Sequence, residues 1–366
     1  MNRELAFNEP KIGIVILHHE KKELIRTLLE SLLRTHYTNY EVVVMDNGSK
    51  DGSIDFVRAS YSQDVSVVRS DTNLGFTAAN NMVLRATQGK YKYVVLLNND
   101  TQVDPNWLTE LAKVAEADPT IGALQPKIKS LRDKRKFEYV GAAGGMIDVY
   151  GYPFARGRLF DTVEEDKGQY DDLAEIFYTG GAAMFFRGSV LAEVGLLDEL
   201  FHSYFEETDL CWRILLGGYK VKYVPSSIVY HLGGATKNYG SPRRIYLIHR
   251  NNLIGLIKNY EIRSLIRYLP IRILFELVSS AFYLRRDFRY SFQVFRSLFW
   301  VLLNLTRILQ KRSEVQRLRK VPDAEIMRLM VKKSVVVQYF LKGRKTFSSL
   351  KGLPAYQARE KSASSD

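Results

Sequence analysis

Residues 93–108 read YVVLLNNDTQVDPNWL. The apolar run Tyr93–Leu97 halts on Asn98-Asn99-Asp100, the pattern of a buried strand in a parallel sheet closed by turn residues. In open α/β sheets ligands bind beyond the carboxyl ends of the strands, so Asn98, Asn99 and Asp100 are expected to face one. Asp104 and Pro105 then read as the N-cap and the first residue of the following helix.

Working outward, strand and helix patterns alternate. Ile12–Leu17 (IGIVIL) and Tyr40–Met45 (YEVVVM) read as strands, and Val65–Arg69 as a third. Between them Leu24, Leu28, Leu29, Leu32 and Leu33 fall on one helical face. A second helix is expected from about Ile54 and another over Ala78–Thr87. The alternation predicts an α/β class, doubly wound and mostly parallel sheet.

The chain has 366 residues, 46% of them hydrophobic, enough for one large core with material to spare. Its net charge of +13 is unevenly spread. Residues 1–240 carry about 27 basic and 32 acidic side chains, whereas residues 241–350 carry about 23 and 6. The shift follows Gly233-Gly234 and coincides with Ser241-Pro242, which is the expected domain boundary. Residues 1–240 are then a catalytic domain, 241–350 a basic helical region, and 351–366, ending EKSASSD, a disordered tail. The single cysteine, Cys211, excludes an intramolecular disulfide and suits a reducing compartment. The start, MNRELAFNEPKIG, holds no apolar segment of signal-peptide length, so a cytoplasmic location is expected.

Two of the strands end in acids. Asp46 leads DNGS and then KDGS, which is turn and cap chemistry as well as a means of binding a base edge or a cation. The motifs follow in order: DNGSKDGS, SDTNLGFTAANN at 70–81, LLNNDT, TGGAAMFFRGSVLAEVGLLDE at 179–199, FEETDLCWR, and VYHLGG. In this order, over about Lys11 to Asn252, the chain resembles the family-2 glycosyltransferases with the GT-A fold, close to the rhamnosyltransferase-like branch.

The resemblance implies a nucleoside-diphosphate sugar as donor, dTDP-rhamnose or a UDP-sugar. It also implies a glycan or lipid-linked oligosaccharide acceptor and single-sugar transfer with inversion. Breaking a sugar–phosphate bond develops negative charge that a divalent cation can neutralise, and oxygen ligands suit Mg²⁺ or Mn²⁺. The family's Asp-x-Asp is here Asn98-Asn99-Asp100, which leaves Asp100 as the first metal ligand. His231 matches the family's late metal-site histidine. Asp46, Asn47 and Ser49, with Asp71, Asn73 and Gly75, match the nucleotide cleft, joined by Asn98 and Asn99. His18 and His19 stand where the family usually shows Thr, Tyr and Asn.

The acceptor hydroxyl must lose a proton as it attacks, which calls for a carboxylate. Phe205-Glu206-Glu207-Thr208-Asp209 resembles the family's Glu-Asp-x-Asp, so Glu207 falls where the base Asp usually stands, with Glu206 as the alternative. The same acids also suit a helix amino terminus, with Asp209 and Arg213 as an i,i+4 pair. Gly180, Gly181 and Asp209 are assigned to the acceptor or sugar, and Trp212 to the core.

The basic region alternates apolar runs with single arginines and holds no uncharged apolar run beyond about 10 residues, against roughly 18 for a spanning helix. It reads as amphipathic helices suited to the anionic inner face of a cell membrane, or packed on the domain or a second copy in a homo-oligomer. No nucleic-acid signature accompanies the charge, so nucleic acid is not an expected partner. Other classes weighed are a non-catalytic membrane-associated scaffold and a sugar nucleotidyltransferase. The latter would need a glycine-rich triphosphate loop that GIVILHHEKKE lacks.

Overall fold

The computed structural model describes residues 7–233 and 241–354. Gly234, part of the expected boundary, and residues 355–366 of the expected tail lie outside them.

The front half follows the alternation. Strand β1 (Ile12–His18) leads to helix α1 (Lys22–Leu32), β2 (Tyr40–Asn47), α2 (Ser53–Tyr61), β3 (Val65–Ser70), α3 (Gly75–Ala86) and β4 (Tyr93–Asn98). A three-residue strand, β5 (Thr101–Val103), precedes α4 (Trp107–Ala117). Helix α4 starts two residues after Pro105, with Asn106 at its N-cap position. Asp104 closes the turn before it instead, its Oδ1 accepting from the Asn106 N–H at 3.0 Å.

Then come β6 (Ile121–Ser130) and a small antiparallel sheet of β7 (Gly145–Ile147), β8 (Pro153–Ala155), β9 (Arg158–Leu159) and β10 (Thr162–Val163). The chain returns to the large sheet with β11 (Ala174–Glu175), β12 (Ala183–Arg187), α5 (Gly188–Val194), α6 (Glu206–Leu216) and β13 (Lys220–His231). The helices α7 (Pro242–Asn259), α8 (Ile262–Leu284), α9 (Phe288–Leu303) and α10 (Leu305–Leu318) follow, and then the short α11 (Asp323–Ile326).

The large sheet runs β11-β13-β6-β12-β4-β1-β2-β3, with β5 on β13. β1 is parallel to β2 and β4, and β2 to β3. β12 is antiparallel to both β4 and β6, while β6 and β13 are parallel. β6 and β13 therefore point the same way as β4, and the carboxyl ends of β1, β2, β4 and β13 share one edge. That edge holds His18, Asp46, Asn98 and His231.

Alternate residues of β1 feed two cores, as the period of a strand requires. Ile12, Ile14 and Ile16 pack with α1, α2 and α4, whereas Val15 packs with the face that carries α3, α5 and α6. The second core also takes Leu253, Ile254, Leu256, Ile257 and Tyr260 of α7 and residues as distant as Phe347 and Leu350. Residues 241–350, set apart by charge, are thus not set apart by packing. Trp212 lies fully buried there, edge-on to Phe177 and Tyr260.

Candidate active site

The edge is organised in three groups of side chains. Under β2, Asp46 is fully buried; its Oδ1 accepts from the Ser49 N–H at 2.9 Å and its Oδ2 lies 3.3 Å from Arg69 Nε. Ser49 Oγ in turn accepts from the Glu20 N–H at 3.0 Å. Asn47 Nδ2 donates to Asn73 Oδ1 at 3.1 Å, and Asn47 Oδ1 accepts from the Leu74 N–H at 2.7 Å. These bonds are those of the turn expected for DNGS. Gly75 opens α3 with φ +81, and a Cβ there would lie 2.6 Å from the His202 ring, so only glycine fits. Asp71 is exposed on the same loop.

A second group lies under β1. Asn99 Nδ2 donates to His18 Nδ1 at 3.0 Å, His18 Nε2 donates to Ser53 Oγ at 2.8 Å, and Ser53 Oγ donates to Asp51 Oδ1 at 2.5 Å. Burial pushes the His18 pKa down to about 4 against the pull of Asp51 and Asp46, so the ring stays neutral and can accept at Nδ1. The Asn99 side chain is buried and turned inward. Its expected nucleotide contact gives way to an internal one, because His18 occupies the space beneath the strand end. Asn98, half-buried, ends β4.

The third group is the densest in charge. His231, last in β13, pairs in register with Thr101, which brings its ring against Asp100: Nε2 lies 3.1 Å from Asp100 Oδ1. On the other side Nδ1 lies 3.0 Å from Glu138 Oε2. All three side chains are buried. Burial alone would lower the His231 pKa, but the two carboxylates outweigh it and raise it to about 9. Glu138 follows β6 in a stretch, KFEYVG, with no motif to single it out. A cavity of about 500 Å³ opens beside it, lined by Glu138, Leu232 and Gly233 with Arg132, Tyr139 and Arg244.

The Asp100–His231 pair fits a hard divalent cation. Adjacent ligands at roughly 2.1 Å from an octahedral ion stand about 3 Å apart, the spacing found here, and a carboxylate on the far nitrogen is the usual way to orient a metal-binding imidazole. Among the described residues no group of three or more His, Cys, Asp or Glu side chains is gathered at metal-binding spacing. Asp100 and His231 would hold such an ion, Mg²⁺ or Mn²⁺, beside a diphosphate whose charge it would neutralise.

The carboxylates Glu206 and Glu207 open α6 after a strained turn, with positive φ at His202, Tyr204 and Phe205. Asn251 of α7 holds that turn by donating through Nδ2 to the carbonyls of Phe201, Ser203 and Tyr204 at 3.0, 2.8 and 2.6 Å. Thr77 Oγ1 of α3 donates to the His202 carbonyl at 3.1 Å, so the turn is tied to the Asn73–Gly75 side of the cleft. Glu206 is buried and Glu207 half-buried, which makes Glu207 the more accessible of the two.

Two expected contacts to acceptor or sugar find other work. Asp209 is fully buried, and its carboxylate takes Arg213 Nε at 3.0 Å, Lys258 Nζ at 3.0 Å and Asn259 Nδ2 at 2.9 Å. It joins α6 to α7 and has no face left toward a ligand. Gly180 is a glycine because a Cβ would lie 2.4 Å from the Gly141 Cα, while its N–H donates to Gln125 Oε1 at 2.7 Å. Gly181 borders open space.

Residues 13–192 match the family model described as glycosyl transferase family 2. The chain is 27% identical over 232 residues to the O-antigen biosynthesis protein RfbC of Myxococcus xanthus, covering 62% of this chain and 18% of that one. It is 29% identical over 237 residues to N-acetylglucosaminyl-diphospho-decaprenol L-rhamnosyltransferase of Mycobacterium tuberculosis, covering 60% and 75%. The chain spans 18%, 25% and 42% of the lengths of the first three curated relatives it matches. Among solved structures, GalNAc-T7 with UDP, GalNAc and Mn²⁺ superposes with a TM-score of 0.54 at 17% identity, over 70% of this chain and 49% of that one.

Proposed function

Residues 13–192 form a glycosyl transferase family 2 domain, and from that premise we propose an inverting, single-sugar transferase acting in cell-envelope glycan synthesis. Its donor is a nucleoside-diphosphate sugar, dTDP-rhamnose or a UDP-sugar, and its acceptor a polysaccharide or lipid-linked oligosaccharide. The observation that carries the reading is the Asp100–His231 pair, 3.1 Å apart at the edge where the strands end. The rhamnosyltransferase name of one relative supports the choice of donor.

Asp46, Asn47 and Asn73 border the nucleotide, and Asn98 with Asp100 the ribose–diphosphate side. Asp100 and His231 would hold Mg²⁺ or Mn²⁺, which when bound neutralises the charge that develops on the departing diphosphate. Glu207 accepts the proton of the acceptor hydroxyl as its oxygen attacks the anomeric carbon. The bond from that carbon to the phosphate oxygen breaks on the opposite face, the nucleoside diphosphate leaves with the electron pair, and the configuration inverts. Asn251 keeps the base in place through the turn it holds.

The test is a thermal-shift panel of UDP-, dTDP- and GDP-sugars with and without Mn²⁺, on the wild type and Asp100→Ala. A ligand at 100 times its dissociation constant adds about 2.7 kcal/mol. A metal-dependent shift for one nucleotide, lost in the variant, is expected. No shift with any nucleotide, and no transfer with a glycan acceptor, would overturn the reading.

A further inference from the structure

Helices α8 and α9 are built inside out. In α8 the fully buried side chains are Arg272, Glu276 and Ser280, while Ile266, Leu274, Val278 and Phe282 are exposed. Arg272 Nε donates to Glu276 Oε1 at 2.8 Å and an Arg272 terminal N–H to the Tyr150 carbonyl at 3.0 Å; His249 also pairs with Glu276. Polar groups so placed anchor α8 to the domain. In α9 the inward positions are Ser291, Val294, Ser297 and Val301, and Ser291 Oγ meets Ser280 Oγ at 2.6 Å. Outward stand Phe288, Phe292, Phe295, Phe299, Leu302 and Leu303, each at least half exposed.

The four phenylalanines recur at i, i+4, i+7 and i+11, a single helical stripe. Water gives no reason for such a stripe, whereas small hydroxyl residues between helices and large apolar ones outside are how helices meet lipid. No single helix among the described residues is long and apolar enough to cross a membrane, and α9 with α10 bends by 69°. The two helices have the length and apolar composition of a span only when taken together across that bend, and a pair so bent, with its apolar face outward, suits the plane of the interface.

The charge around the stripe selects the lipid. Arg289 and Arg296 flank the phenylalanines on one side of α9, and Arg285 and Arg286 sit at the turn into it. Of these, Arg289 pairs with Asp287; Arg285, Arg286 and Arg296 face no carboxylate within ion-pair distance among the described residues. Arg296 also lines a cavity of about 400 Å³ between α7 and α9, with Arg243, Arg250, His202, Tyr246 and Gln293. Among the described residues no acidic side chain lines that cavity.

We propose that the outward face of α8 and α9 docks on an anionic phospholipid bilayer, with the phenylalanine stripe among the upper acyl segments and the flanking arginines and their cavity at lipid phosphates. This rests on the helices alone and stands whether or not the donor assignment holds.

Flotation of the full chain with vesicles tests it. Binding is expected to vesicles of phosphatidylcholine with phosphatidylglycerol, weaker binding to phosphatidylcholine alone, and at least a tenfold loss in Phe295→Glu/Phe299→Glu, whose new charges lie on exposed positions. Arg285→Gln/Arg286→Gln/Arg296→Gln should weaken binding to the anionic vesicles selectively. Trp300 reports insertion, because Trp107 and Trp212 are fully buried: brominated lipid should quench the wild type. The proposal is overturned if the wild type does not float with anionic vesicles, or if Phe295→Glu/Phe299→Glu, folded by circular dichroism, floats equally well. A wild type that stays unbound as a dimer, and becomes monomeric in that variant, would instead assign the face to a second copy.

Discussion

His231 Nε2 lies 3.1 Å from Asp100 Oδ1, across the join between the end of β13 and the turn that follows β4. Each residue is buried, and in the proposed metal site a divalent cation would stand between them. Asp100→Ala and His231→Ala should each abolish the Mn²⁺-dependent part of nucleotide stabilisation and slow transfer by about 100-fold or more. Retention of Mn²⁺-dependent stabilisation in both would remove the pair from the metal site.

In the proposed metal site Glu138 would act through His231. Its carboxylate, 3.0 Å from Nδ1, orients the ring. Glu138→Gln should reduce Mn²⁺ affinity by about 10- to 100-fold, with nucleotide affinity in the absence of metal unchanged. Titration calorimetry with the metal alone reads this directly, and an unchanged affinity counts against the role.

Glu207 and Glu206 are separable by exposure. Glu207→Gln should reduce kcat by about 100-fold or more with donor binding intact, since a general base commonly contributes that much. Glu206→Gln, at the more buried position, should act on stability more than on rate. The reverse pattern in paired kinetics and melting would exchange their roles.

Asp209 is expected to matter for folding. Lys258→Met leaves its buried carboxylate short of one cation, and loss of one partner from a buried pair costs about 3–5 kcal/mol. Urea denaturation should show this for Lys258→Met, while the KM for donor in the remaining folded enzyme stays near that of the wild type. A rise in donor KM without loss of stability would return Asp209 to the ligand site.

His18 sets an acid limit on stability. Its folded pKa, about 4, lies below the ordinary 6.5, so the unfolded chain binds the extra proton between those values. The contribution is complete above pH 6.5 and is lost as pH falls through about 4, at most about 3 kcal/mol. His18→Gln should flatten the slope of stability over that window. An identical slope in the variant would place the acid sensitivity elsewhere.

The strands β1 to β4, the helices between them and the polar residues at the strand ends were legible in the sequence, because each is a pattern within a window of about 6–12 residues. Asp100 and His231 stood out through the resemblance alone, and the structure places them 3.1 Å apart. The placement of α4 slipped by two residues because Asp104 closes a turn where a cap was expected. Other relationships needed the tertiary structure. Glu138 meets His231 because β6 and β13 run side by side, an adjacency that no local spacing records. Asn99 turns inward because His18 waits beneath it, and Asp209 is consumed by Lys258 and Asn259 of a helix far along the chain. The basic region could be read as amphipathic, but which side of each helix faces inward was decided by buried partners: Arg272 and Glu276 go in and the phenylalanines stay out. A sequence states local preference, whereas the burial of a charge depends on where its counter-charge arrives, and only the assembled sheet and helices bring the two together.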